Sequence, residues 1–179
     1  MRPGPIRTSC KRPIQKTLLN DRDLVLHIAK YHMILPTALE EVFDFFSDAI
    51  HLEQITPPEL RFHIVSPTPI SMAQGTRIDY RLRLYGIPLR WRAFITQWNP
   101  PFGFVDEQVR GPFRLWVHTH RFTVLEKTTR IDDEVQYILP FSPLGDVIFP
   151  FIRTLIDRIF AFRKRTIQGI FGEKWSRPI

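Results

Sequence analysis

At 179 residues, 44% apolar and 24% charged, the chain is long enough for one domain with a large core and has the composition of a globular protein. A single cysteine, Cys10, excludes a disulfide framework and any cysteine-built zinc site. The formal net charge of +7 is no argument for a nucleic-acid partner, because Arg2, Arg7, Lys11, Arg12 and Lys16 lie within the first twenty residues without one acid and the rest is close to neutral.

That basic stretch also holds Pro3, Pro5 and Pro13 and reads as a solvated tail over residues 1–22, ahead of a domain over 23–172 and a short C-terminal tail over 173–179. It lacks the apolar run of a secretory signal, and no stretch reaches the roughly 18 apolar residues of a membrane span. A cytoplasmic location is the expectation.

A first strand is predicted around Leu24–Ile34, closed by Pro36. Thr37 and Glu40 have capping-box spacing, and Leu39, Val42, Phe43 and Phe46 follow at helical intervals. Ser47 or Asp48 can cap a second short helix to about Ile55, which Pro57-Pro58 must end. The period then becomes two. Leu60–Val65 reads as a short strand, and Gly75 opens a longer one with Ile78, Tyr80, Leu82 and Leu84 on its inner face, opposite Arg77, Asp79, Arg81 and Arg83. Gly86-Ile87-Pro88 turns the chain into a strand with Leu89, Trp91, Ala93 and Ile95 inward. Three more strands, Phe104–Val109, Arg114–Leu125 and Ile131–Leu139, follow short turns, so their pairing is antiparallel.

From Ser142 the period is helical again. Leu144, Val147, Ile148, Phe151, Ile152, Leu155, Ile156, Ile159 and Phe160 form one wide apolar face, with Arg153, Asp157, Arg158 and Arg163 outside it. Pro150 predicts a kink or a fresh start within this helix. The fold class is α+β: a curved antiparallel sheet of about seven strands, in β-α-α-β6-α order, wrapped around a long C-terminal helix.

This order and its local residues resemble the helix-grip fold of the SRPBCC superfamily, which includes START lipid-transfer domains, the birch pollen allergen and polyketide cyclase/dehydrase-like proteins. The resemblance rests on Pro36 to Val42-Phe43, on Leu52–Pro58, on Gly75 before a long strand, on Phe104–Phe113 with Trp116–Phe122, on Asp133–Tyr137 leading into Pro140, and on Phe162-Arg163. It covers about residues 23–172 and is specific for fold. It implies a ligand cavity between sheet and helix, in the manner of START-type and coenzyme-Q-binding members.

Alternation puts Trp116, His118, His120 and Phe122 on one side of a strand. Asp106 with Gln108, and Asp133 with Tyr137, share faces of the strands on either side, so a polar cluster of His118, His120, Asp106, Asp133 and Tyr137 is geometrically open. These five are the candidates for acid/base chemistry. A ligand-binding wall of Tyr80, Trp91, Trp116, His118, His120, Phe122, Tyr137 and Phe151 is expected. The two histidines and a carboxylate also admit a metal reading, but without a third histidine or a cysteine no metal and no cofactor is expected. The plain alternative is a hydrogen-bonded pair of core histidines, and a one-residue bulge would exchange the inner face for Arg121. Arg163-Lys164-Arg165 is expected at the helix end, complementing its dipole; a transient contact with an anionic membrane surface, aided by Phe160, Phe162 and Phe171, is the other reading. Glycine-rich phosphate loops, a nucleophile elbow and a His-Glu-x-x-His motif are absent.

The function expected is the binding or carrying of a small-to-medium hydrophobic molecule: a lipid, an isoprenoid or quinone, or a polyketide-like aromatic. The alternatives are a cyclase or dehydratase with His118 or His120 as general base, and a protein-interaction module with a vestigial cavity.

Overall fold

The computed structural model describes residues 24–140 and 147–175. The expected tail over 1–22, Cys10, Leu144 and residues 176–179 lie outside them. After β1 (His27–Leu35) come α1 (Leu39–Ser47), α2 (His51–Gln54) and a 3-10 turn at Pro58–Leu60. The strands β2 (His63–Ile64), β3 (Arg77–Leu84), β4 (Ile87–Asn99), β5 (Gly103–Arg110), β6 (Leu115–Leu125) and β7 (Thr128–Ile138) follow, and α3 (Phe149–Trp175) ends the described chain. No helix among the described residues is long and apolar enough to cross a membrane.

The strands form one antiparallel sheet in the order β1-β7-β6-β5-β4-β3-β2. Each strand from β3 onward lies beside its predecessor, with short connections from β3 to β7, and β1 closes onto β7 with His27 opposite Tyr137. Register shifts at Arg92/Ala93 and Ile95/Gln97 bend β4 against β5, which helps the sheet curve. Strand β6 pairs with both neighbours without such a shift. Its alternation is therefore preserved, with His118, His120 and Phe122 buried and Arg121 exposed.

Helix α3 packs on the inner face. Ile156 and Phe160 join Ala29, Val135 and Tyr137, whereas Ile167 and Phe171 join Met33, Leu35, Phe43 and Ile131. Polar ties hold the helix to β1: the Tyr31 hydroxyl donates to Asp157 at 2.5 Å, and the Tyr31 ring stacks on Phe160 with centroids 4.0 Å apart. Arg153 Nε donates to the other oxygen of Asp157 at 3.0 Å.

Several local expectations are corrected. The N-cap of α1 is Ala38, which makes no side-chain cap bond, so Thr37 and Glu40 form no capping box; Glu40 and Glu41 instead favour the positive helix start. Strand β2 is two residues long, because Pro58–Leu60 is drawn into the preceding turn. Pro150 lies in the first turn of α3, where its missing amide costs nothing, so the helix begins there. The helix also runs past Gly172 to Trp175, which leaves the Arg163–Arg165 run in its middle. Phe160 and Phe171 are buried against the sheet, so they cannot serve a membrane contact.

Candidate functional site: an apolar cavity with a polar wall

Between α3 and the inner face of the sheet lies a cavity of about 420 Å³, where the three core clusters meet. Its walls are mostly apolar and aromatic, with Ile95, Phe104, Trp91 and Trp116 from the sheet and Ile156 and Phe160 from the helix. One end is lined by α1 and α2 through Phe46 and Leu52; the other is lined by the β3–β4 hairpin. That hairpin turns through Tyr85 and Gly86, both at positive φ as a tight two-residue turn requires, and leaves Tyr85 85% exposed beside the cavity.

Strand register builds the polar wall. Asp106 of β5 stands opposite His118, and Asp133 of β7 stands opposite His120. Each histidine reaches both carboxylates. His118 Nε2 is 3.2 Å from Asp133 Oδ1, with Nδ1 at 3.6 Å from Asp106 Oδ2. His120 Nε2 is 3.3 Å from Asp106 Oδ2, and its Nδ1 lies 2.7 Å from Asp133 Oδ1 at ion-pair range but without hydrogen-bond alignment. The four side chains thus close into a ring, and the imidazoles sit with centroids 3.8 Å apart. Phe104 stacks on His120 at 4.2 Å, and Phe160 meets His118 edge-on. Gly103 allows the approach of β5 to β6, since any Cβ there would strike the His120 carbonyl. The Gln108 amide clamps the β5–β6 connection by donating to the Phe113 carbonyl and accepting from its N–H.

Burial and pairing divide the charges. Burial pushes the Asp133 and Asp106 carboxyls up, yet hydrogen bonds and charge from the histidines more than offset it and hold both below the usual carboxylate range. Burial and the neighbouring His120 hold His118 below the ordinary histidine value despite Asp133. Burial also acts against His120, but its bond to Asp106 and the close Asp133 carboxylate win and raise it. The ring therefore favours two carboxylates, disfavours charge on His118 and favours it on His120.

Arg163 of α3 faces the same cavity and is 8% exposed. Sequence periodicity put it outside the apolar face; the structure puts it inside. The inward positions of α3 are Ile152, Ile156, Phe160, Arg163, Ile167 and Phe171, so the spacing continues past Phe160 and runs through the arginine. Conversely, Val147, Ile148 and Phe151 at the start of the predicted stripe are exposed.

The structure brings together His118, His120, Asp106 and Asp133 and puts Tyr80, Trp91 and Trp116 on the cavity wall. Three expected wall residues are elsewhere. Phe122 packs into the core with Phe43 and Phe46, Tyr137 is buried with Phe113 and Trp116, and Phe151 is 72% exposed on the outer side of α3. Asp106, His118 and His120 could offer a divalent ion one ligand atom each within 4.8 Å of one another, but the Arg163 guanidinium on the same wall opposes further positive charge.

No curated protein sequence matches the chain. Among solved structures, the Zhui aromatase/cyclase from Streptomyces sp. R1128 aligns with a TM-score of 0.68 at 12% identity, over 84% of this chain and 96% of that one. A START superfamily protein from Mycobacterium smegmatis aligns with 0.63 at 11% identity, over 82% and 98%. The major latex-like protein 151 of Panax ginseng aligns with 0.58 at 11% identity, over 82% and 97%. At such identities the likeness is one of fold, the helix-grip fold of the SRPBCC superfamily. The family described as polyketide cyclase/dehydrase and lipid transport matches residues 35–162, more than half of the sequence, and the chain belongs to it.

Proposed function

We propose that the chain binds a small-to-medium hydrophobic molecule in the cavity under α3 and acts as a carrier or receptor for it. The observation that carries this is the cavity itself, about 420 Å³ with mostly apolar and aromatic walls, where a buried ligand gains about 25 cal/mol per Å² of apolar surface removed from water. Tyr80, Trp91 and Trp116 supply the aromatic walls in this reading. Lipid, isoprenoid, quinone and polyketide-like molecules all suit such a lining. A cytoplasmic site of action goes with it, since the one cysteine asks for no oxidising compartment.

One observation favours an enzymatic reading: His118 and His120 face the cavity and contact carboxylates, the arrangement a cyclase or dehydratase base needs. Against it stands the closure of the ring, in which every imidazole nitrogen already faces a carboxylate oxygen. A thermal-shift panel of fatty acids, isoprenoids, quinones and aromatic polyketides tests binding, because a ligand held at a hundred times its Kd stabilises by about 2.7 kcal/mol. With a hit in hand, Trp116→Ala should weaken binding about tenfold or more and His118→Gln much less. Turnover of the bound compound that His118→Gln or His120→Gln removes, with binding intact, would replace the carrier by the enzyme.

A further inference from the structure

The charged and titratable groups at the cavity wall, Asp106, His118, His120 and Arg163, with Asp133 behind them, are not equally provided for. Asp106, Asp133, His118 and His120 stand within ion-pair range of one another, although His120 Nδ1 and Asp133 Oδ2 make no aligned hydrogen bond. Arg163 has no hydrogen bond or ion pair among the described residues, and its Nε is a buried donor without an acceptor. Its guanidinium lies 5.0 Å above the Phe160 ring, a face that offers a cation attraction but no acceptor atom. A guanidinium carries five N–H donors in a rigid fork and cannot shed its charge, so burying it unpaired is costly. An anionic group entering with a ligand would relieve that cost.

We propose that the ligand of this cavity is an amphipathic carboxylic acid whose carboxylate is received by Arg163. The inference rests on the proposed binding function and narrows it to one class of ligand. The apolar walls take the body of the molecule, and the guanidinium fork matches the two oxygens of a carboxylate. A carboxylate suits this wall better than a phosphate monoester, because Asp106 lines the same cavity and repels a second negative charge more strongly than a first. The same logic sets the orientation. The acid group lies at the depth of Arg163, mid-helix between Phe160 and Ile167, and the apolar body extends along the helix and sheet toward Trp91 and Tyr85.

The test uses the full chain and pairs of probes differing only at the head: cis-parinaric acid with its methyl ester for a linear body, and 9-anthracenecarboxylic acid with its methyl ester for a flat one. A charge-assisted pair of hydrogen bonds should make at least one acid bind about tenfold or more tightly than its own ester. Arg163→Met should erase that preference by weakening the acid and sparing the ester, and Arg163→Lys should retain part of it. Equal binding of acid and ester by the wild type, or a preference that survives in Arg163→Met, overturns the acid proposal while ester binding leaves the cavity reading standing. Binding of no probe to the folded wild type overturns both. The wild-type comparison needs no variant to fold. Native mass spectrometry of protein purified from its own host gives a second, independent readout: a retained carboxylic acid supports the proposal, and a retained neutral molecule overturns it.

Discussion

The ring of Asp106, His118, His120 and Asp133, three of which line the cavity, and the lone Arg163 on the same wall are settled by opposite means. In the ring, antiparallel register sets each aspartate beside a histidine on the next strand, so the charges are paired as soon as the sheet is paired. Arg163 comes from the helix, one side chain on an otherwise apolar stripe, and no residue of the sheet meets it at ion-pair distance. A buried charge that closes on its neighbours belongs to the fold; one that stays open belongs to whatever enters the cavity. The two should therefore respond to mutation in opposite ways.

Breaking the ring gives the largest effect. Asp133 is 1% exposed, and Asp133→Asn keeps its volume while breaking the buried ring and leaving His120 with Asp106 as its one carboxylate, so the native state should lose about 3–5 kcal/mol in urea unfolding. An unchanged midpoint would mean the ring is not closed in solution. Ile156→Ala, on the same wall but without charge, should cost about 2–5 kcal/mol by cavity formation alone.

A pH series separates the ring's members. His120 is raised on folding, so the stability it supplies is complete below the ordinary histidine pKa of about 6.5 and is lost as pH rises through its higher folded value. His118 is lowered, so its contribution is complete above about 6.5 and is lost as pH falls through its folded value. Asp106 and Asp133, also lowered, hold their contribution above about 3.9 and lose it in stronger acid. Wild-type urea midpoints should therefore peak near the ordinary histidine pKa. His120→Gln should lose the decline on the alkaline side, and a decline as steep as that of the wild type would assign it to another group.

Arg163→Met is the counterpart of Asp133→Asn and should be nearly neutral or stabilising, within about 1 kcal/mol in the absence of ligand, since it removes an unpaired buried charge and leaves an apolar side chain against Phe160. A loss as large as that of Asp133→Asn would show that the arginine belongs to the fold after all.

Much of this was legible in the sequence, and the limits of that reading are physical. A period of two is a direct image of alternating faces, so the strands and the inward side of β6 could be read from Trp116, His118, His120 and Phe122. Which carboxylate meets which imidazole depends on strand offsets, and these appear only when Asp133 is found opposite His120. Arg163 is hidden from apolar spacing because the stripe is interrupted by its charge, although the helix face is not. Carried on through Ile167 and Phe171, the same spacing passes through the arginine. The reverse error came at the other end, where apolar spacing runs unbroken through Val147, Ile148 and Phe151 although the helix begins at Phe149.

That error supplies the smallest predicted effect. Phe151 and Ile156 lie on one helix and both fit the apolar pattern of the sequence, yet Phe151 is 72% exposed and Ile156 is buried among Ala29, Val135 and Tyr137. An aromatic side chain left in water removes little apolar surface on folding, and its truncation leaves no cavity to fill. Phe151→Ala should therefore shift the urea midpoint by no more than about 0.5 kcal/mol equivalent, several times less than Ile156→Ala, although it deletes the larger side chain. If the two losses were equal, Phe151 would be covered in solution, and the start of α3 would have to lie closer to the sheet than its exposure indicates.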